Sequence, residues 1–360
     1  MSGQRNRLDF SGQRVYVGID VSLKSWSVTI LTAQAEHKTF SQPPRAEVLV
    51  NYLQRTFPGA EYLCVYEAGY CGFWPHRALT AGGLRCLVVH PADVPTTGGE
   101  RRRRRDAVDS RKLARALRSQ ELSAIYIPSQ QAQEDRGLVR LRTDLVKKQT
   151  RCKNQIMAQL RVFGYELPAE LKTTHWSRAF LLYLRELAFT CTSGRQALDA
   201  LLDELDHWRE LILKVTRQIR DLAGEDRYRD SVELLRTIPG ISILSAMILL
   251  TELVELSRFR SFDHLCSYVG LVPDEDSSGE VQIITGLTRR RNRRLRGILI
   301  ECAWVAVRKD PALLLKFEQL TSGGQPQKKN QAIVRIARKL LNRIRHVLVT
   351  REPYALGLTA

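Results

Sequence analysis

Apolar and polar residues alternate in short runs along the first third of the chain. In RVYVGIDVS, Val15, Val17 and Ile19 recur at the period of two that a strand requires. SWSVTILTA and EHKTFSQ follow at hairpin distance. After the stop at Pro43 and Pro44, AEVLVNYLQRTF changes to helical spacing. YLCVYEAG reads as a strand, GFWPHRALTAGG as a helix closing on glycine, and LRCLVVHP as another buried strand. Strand hairpins followed by alternating helices and strands predict a mixed sheet covered on both faces. TTGGERRRRR then reads as a flexible basic loop. It leads into the amphipathic helix DAVDSRKLARALRSQEL, whose first turn carries aspartates where the helix dipole favours them. IYIPSQ closes this α/β region, residues 1–128, at a proline.

The pattern then becomes helical. In the second region, 129–229, Leu138, Leu141, Leu145, Cys152 and Ile156 make an imperfect stripe of threes and fours. Leu201, Leu205, Trp208, Ile212, Val215, Ile219 and Leu222 alternate the two spacings without a break. That is a heptad seam, which suits an antiparallel coiled coil, a dimer contact, or a helix packed on its own domain. The third region, 230–360, is mainly helical. LLRTIPGISILSAMILLTEL places Pro-Gly between apolar helices, either as a structural turn or as a helix-hairpin-helix turn whose backbone N–H groups meet a phosphate. SYVGLVPDEDSSGEVQIITGLT reads as a loop with a short hairpin. RRRNRRLRGILIECAWVAVRK is a basic helix start running into a buried helix. NQAIVRIARKLLNRIRHVL is amphipathic, with Ile333, Ile336, Leu340, Ile344 and Val347 on one side.

Charge narrows the function. Across 360 residues, 56 Lys and Arg outweigh 38 Asp and Glu, a net charge of +18. Such a surplus implies a polyanionic partner, and nucleic acid is the usual one. No apolar run reaches the length of a membrane span, and the N-terminus lacks the apolar core of a signal peptide. The seven cysteines are scattered, with no C-x-x-C pair, so neither a zinc site nor a disulfide framework is indicated. Buried, reduced thiols in a cytoplasmic protein are expected.

The acids of the α/β region are the candidates for chemistry. Asp20 and Glu67 each end an apolar strand. Asp106 and Asp109 lie three apart on one helix face. Gathered at one sheet edge, such carboxylates repel and need a counter-charge. A pair of Mg²⁺ (or Mn²⁺) ions about 3.5–4 Å apart would supply it and could polarise a phosphodiester. Each acid taken alone could instead be a cap or a solvated charge. The run Arg101, Arg102, Arg103, Arg104 and Arg105 would grip the nucleic-acid backbone or remain a solvated segment. The same holds for Arg289, Arg290, Arg291, Arg293, Arg294 and Arg296. Between these clusters lie Ser277 and Ser278, ordinary turn formers or, given activation, a nucleophile.

GIDVSLKSWSV, YEAGYCGFWPHRAL, RRRRRDAVDSRKLARAL, LLRTIPGISILSA, FRSFDHLCSYVGLVP, SSGE and NRRLRGILIECAW come in one order. Together they resemble the DEDD transposases of the one-ten insertion-sequence family, relatives of the Piv DNA invertases. The resemblance covers nearly the whole chain. It implies an N-terminal RuvC-like, that is RNase H-like, domain, a coiled-coil middle and a C-terminal transposase domain. It implies metal ligation by Asp20, Glu67, Asp106 and Asp109, and a nucleophile at Ser278, with Ser277 as the fallback. It further implies a serine–DNA phosphate intermediate, donor and target DNA, a bridge RNA as guide, and dimers that pair into a tetramer. A cytoplasmic, nucleoid-associated prokaryotic protein follows from the same likeness. The chain departs from many relatives in having Arg291 where they carry a glycine before Asn292, so a continuous helix is expected there.

Two other functions remain open at this point. A RuvC-like junction endonuclease would use water as nucleophile and would not need Ser278. A non-catalytic nucleic-acid-binding protein would need no metal.

Overall fold

The alternating run around Val15 forms strand β1 (Arg14–Val21), and its neighbours assemble the sheet that the spacing predicts. The structure is a computed structural model that describes residues 9–96, 106–168, 170, 175–278, 281–322 and 326–356, without the side chains of 275–278, 281–285 and 326–328. It divides into two compact units, Met1–Ile127 and Pro128–Ala360.

In the first unit, β1 pairs antiparallel with β2 (Trp26–Leu31), which pairs antiparallel with β3 (Glu36–Gln42). On its other side β1 pairs in parallel with β4 (Glu61–Glu67), which pairs in parallel with β5 (Arg85–Val89). The order is therefore β3-β2-β1-β4-β5. Val15, Val17, Ile19, Cys64 and Tyr66 share a buried core with Leu49 and Leu53 of helix α1 (Ala46–Thr56) and Leu79 of α2 (Trp74–Ala81). The opposite face is covered by α3 (Asp106–Arg118), whose Leu113 and Leu117 pack on Val65 and Val89. This mixed α/β arrangement fits an RNase H-like domain.

The second unit is mainly helical. Helices α4 (Gln130–Val162) and α6 (Thr192–Ala223) run antiparallel. Arg142 Nε donates to Thr216 Oγ1 at 2.8 Å, and Cys152 Sγ meets the Leu201 carbonyl at 3.2 Å, so partners descend on one helix as they ascend on the other. At one end, Cys152, Ile156 and Leu160 pack with Leu198, Leu202 and Phe180, the last from α5 (Arg178–Glu186). The α6 seam is buried at Leu205, Val215, Ile219 and Leu222 and half-buried at Leu201, Trp208 and Ile212. The α4 stripe departs from expectation, because Val139 is buried and Leu141 exposed. Near its start α4 also packs on α8 (Ile243–Leu253), which draws a second helix face inward.

The C-terminal half continues with α7 (Arg229–Arg236), α8, α9 (Phe262–Val269), the hairpin β6 (Pro273–Ser278) and β7 (Val281–Leu287), then α10 (Arg293–Lys309), α11 (Pro311–Thr321) and α12 (Pro326–Thr350). Serine side chains accept backbone N–H groups at the starts of α4, α5, α8 and α9, as N-caps do. The Pro-Gly turn between α7 and α8 packs closely on α10. Gly240 has φ +91°, and a Cβ there would lie 2.5 Å from the Cys302 carbonyl oxygen of α10.

Helix α10 corrects the expectation of a continuous helix through Arg291. It begins at Arg293, because Asn292 is its N-cap and accepts N–H groups from Arg294 and Leu295 through its side chain. Gly270, in the left-handed conformation that ends α9, lets Arg291 come close, since a Cβ there would sit 2.3 Å from Arg291 Cβ. The cysteines are all free, and five are buried, but Cys71 is half-buried and Cys191 exposed. Among the described residues no helix is long and apolar enough to cross a membrane.

Candidate active site

Gly18 explains how carboxylates far apart in sequence meet. It sits in the middle of β1 on the face that α3 covers. A Cβ there would lie 2.0 Å from the Ser110 carbonyl oxygen and 2.4 Å from the Ala114 nitrogen. Only a glycine lets the helix backbone rest directly on the strand. Ser110, fully buried, fixes the contact through Thr29 Oγ1 at 2.9 Å and Ser27 Oγ at 3.2 Å. Arg111 adds a forked pair to Glu36 of β3, with Nε to Oε2 at 2.9 Å and Nη2 to Oε1 at 3.0 Å.

Two residues beyond Gly18, strand alternation returns Asp20 to the same face. The parallel register pairs Ile19 with Tyr66, so Asp20 and Glu67 are the next residues outward on adjacent strands. The first turn of α3 brings Asp106 and Asp109 to this edge. The four acids are electrostatically coupled. Burial pushes the Asp20 carboxyl up to about 6, and the charges of Asp106, Asp109 and Glu67 push it the same way. Lys112, one turn beyond Asp109, opposes them. Its Nζ lies 3.1 Å from Glu67 Oε1 and 3.5 Å from Asp109 Oδ1. The Asp20 carboxylate accepts no hydrogen bond among the described residues.

Among the described residues, no group of three or more His, Cys, Asp and Glu side chains is already drawn together as a metal shell. The donor chemistry nevertheless fits a hard divalent cation, because the gathered groups are carboxylates without sulfur or imidazole. The charge that burdens Asp20 is the charge such a cation would neutralise. The sequence reading missed Lys112, although the spacing of three from Asp109 was visible in DSRK.

Ser277 and Ser278 lie at the tip end of β6, in register with Gln282 and Val281 of β7. Their side chains, and Arg101–Arg105, fall outside the described residues. Past the hairpin, Arg289, Arg290 and Arg293 are exposed. Arg294 is engaged by Asp144 of α4, its Nη2 lying 3.0 Å from each carboxylate oxygen. Arg296 donates to the carbonyls of Gly270 and Thr288 at 3.0 and 3.1 Å. Arg291 Nη1 also donates to the Thr288 carbonyl at 3.5 Å, so Arg291, Arg294 and Arg296 are all tied into the fold.

The start of α10 rests on a second residue that sequence reasoning missed. Glu252 is buried in the apolar helix α8. Arg140 of α4 grips it at 2.6 and 2.7 Å, and Asn292 Nδ2 donates to it at 2.9 Å. Burial pushes its carboxyl up, but these donors outweigh burial and hold it below its ordinary value. A lone acid within ILSAMILLTEL was the available signal, since an unpaired charge is rarely buried.

Comparison with known proteins places these residues in a family. A model described as a transposase and labelled DEDD and IS110 matches residues 17–164, which include all four acids. A second, described as the transposase IS116/IS110/IS902 family, matches 232–318, which include both serines and the arginine cluster. A Sinorhizobium fredii protein with a provisional transposase name, y4qE, is 32% identical over 68% of this chain. The match spans 58% of that relative's own length. The transposase for insertion sequence element IS1533 of Leptospira borgpetersenii is 26% identical over 81% of this chain and 85% of its own. The pilin gene-inverting protein of Moraxella lacunata is 31% identical over 42% of this chain and 48% of its own. On the two family models and these relatives, the chain belongs to the DEDD transposases of the IS110 family.

Proposed function

We propose that this protein cuts and rejoins DNA strands at a divalent-metal site built from Asp20, Glu67, Asp106 and Asp109, with Ser278 as nucleophile. The observation that supports the reading is that Asp20 and Glu67 end adjacent strands and the first turn of α3 starts at the same edge, so that Asp20, burdened first by burial, also feels the charges of Asp106, Asp109 and Glu67. A fold keeps such a cluster at a cost in stability, and a function that needs a cation accounts for that cost. Mg²⁺ or Mn²⁺ held there would neutralise charge on the phosphate and lower the barrier to oxygen attack.

In the covalent step, Ser278 Oγ attacks a backbone phosphorus. The Oγ–P bond forms as one P–O bond of the strand breaks, and the serine proton ends on the released hydroxyl. Attack by another strand's hydroxyl reverses the exchange and returns the serine. The number of phosphodiester-type bonds is conserved, so no external energy source is needed. The acids belong to the first unit and the serine to the second. The reading requires both to act on one phosphate, within a chain or across copies. A dimer pairing into a tetramer and a guide RNA belong to the same reading, carried by the family resemblance. Arg289, Arg290 and Arg293 are suited to hold the phosphate backbone, since guanidinium pairs with phosphate in forked geometry.

The test is to incubate the protein with labelled DNA, digest it, and locate the labelled peptide by mass spectrometry. An adduct on Ser278 that Ser278→Ala abolishes supports the reading. An adduct on Ser277 moves the nucleophile by one residue. Metal-dependent cleavage without any adduct favours the hydrolytic junction nuclease.

A further inference from the structure

The last helix carries a feature that the strand-exchange site does not use. One side of α12 builds the core through Ile336, Leu340, Ile344 and Val347. Its other side forms the wall of a cleft of about 1050 Å³, closed by α11 and the segment 352–355. The polar face of an amphipathic helix normally meets open water. Here it faces a concavity whose lining joins apolar side chains such as Phe262, Leu313 and Leu315 to six Lys and Arg residues.

Two of those cations are already matched. Arg338 pairs with Asp263 at 2.6 Å, and Arg343 with Asp310 at 2.5 Å. Arg335, Lys339 and Arg345 have no ion pair among the described residues, and Lys316 on α11 has only the side chain of Gln319, at 3.3 Å. Glu352 is the one acid among the described lining residues. Arg335, Lys339 and Lys316 therefore face one hollow with little counter-charge. Like charges lining a concave wall repel, and the low-dielectric walls focus their field. An anionic strand laid in the cleft relieves that repulsion. Arg335 and Lys339 lie four apart, about one helical turn of 5.4 Å along the wall, Arg345 follows six residues on, and Lys316 lines the cleft from α11, which spreads the charge along the hollow rather than gathering it at a single-ion pocket.

We propose that the cleft between α11, α12 and the C-terminal segment is a binding groove for the sugar–phosphate backbone of nucleic acid, contacted by Lys316, Arg335, Lys339 and Arg345. The groove rests on the proposed function only for the choice of polyanion. It involves neither the carboxylates nor the serine hairpin.

The test compares two triple variants of the full chain that remove equal charge. One is Arg335→Ala/Lys339→Ala/Arg345→Ala in the groove. The other is Lys214→Ala/Arg217→Ala/Arg220→Ala, on exposed positions of α6. Affinity for a duplex DNA and for a hairpin RNA is measured across a salt series, with thermal melts to verify folding. The groove variant should weaken binding of at least one probe by roughly tenfold or more, and lower its salt slope by about 2 to 3, near 0.9 for each lost phosphate contact on duplex. The α6 variant should change neither comparably. The probe that responds identifies the strand the groove holds. Equal effects of the two variants on both probes, or no effect of the groove variant, overturn the groove while leaving strand exchange standing. Failure of the wild type to bind either probe overturns both. Should the triple variant melt early, Arg335→Gln and Lys339→Gln singly give the same comparison, each with a slope loss near 1.

Discussion

Replacing Asp20 by asparagine should make the metal-free protein more stable, although it removes a residue central to the proposed chemistry. Asp20 is half-buried at the end of β1, and its carboxyl is raised from 3.8 to about 6 by burial and then by Asp106, Asp109 and Glu67. An acid whose folded value lies above its unfolded value binds its proton more tightly when folded. Stability therefore falls as pH rises from about 4 to about 6, and the penalty stays constant above that. Two units correspond to about 3 kcal/mol, and partial exposure reduces this to about 1–3 kcal/mol. Asparagine keeps the shape without the charge. Urea unfolding in EDTA should show Asp20→Asn stabilised by that amount at pH 7.5 and by almost nothing near pH 4. Saturating Mg²⁺ should stabilise the wild type and shrink the difference. No gain at pH 7.5, or an equal gain at both pH values, would refute the electrostatic argument.

Other outcomes follow from particular contacts. Gly18→Ala should cost at least about 2 kcal/mol, because its Cβ would press on the Ser110 and Ala114 backbone; denaturant midpoints measure this. Lys112→Gln should lower the melting temperature in EDTA by an amount equivalent to about 1 kcal/mol, and Mg²⁺ should restore it, since the cation would replace the charge lost beside Glu67 and Asp109. Glu252→Ala should destabilise by about 2–4 kcal/mol at neutral pH, because Arg140 and Asn292 lose a buried partner. The wild-type advantage from Glu252 is present above its ordinary carboxyl range and is lost as pH falls through its lowered value, so the two proteins should converge in acid.

Much of the fold was legible because it is written in local periodicity. The period of two around Val15, the switch to helical spacing at Ala46 and the aspartates opening α3 each carry their own signal. The convergence of the acids was legible as a possibility, since Asp20 and Glu67 both end strands. What made it geometry was Gly18, and a missing side chain announces nothing until the helix that crosses it is known. Arg291 misled because helix propensity was read without the cap: the amide of Asn292 satisfies two backbone N–H groups and sets the start one residue later. Leu141 misled because a single stripe presumes a single neighbour, whereas α4 meets α6 and α8. The basic face of α12 was readable as charge. Its concavity was not, because α11 and the C-terminal segment form the other walls.

The central claim is that four carboxylates hold a divalent cation for DNA cleavage. The most direct measurement is Mg²⁺ titration by calorimetry of the DNA-bound protein, on the wild type and on Asp20→Asn, Glu67→Gln, Asp106→Asn and Asp109→Asn. The account predicts saturable binding by the wild type and a loss of affinity of about tenfold or more in each variant, with cleavage lost in parallel. Unchanged affinity and cleavage in two of the four variants would contradict it.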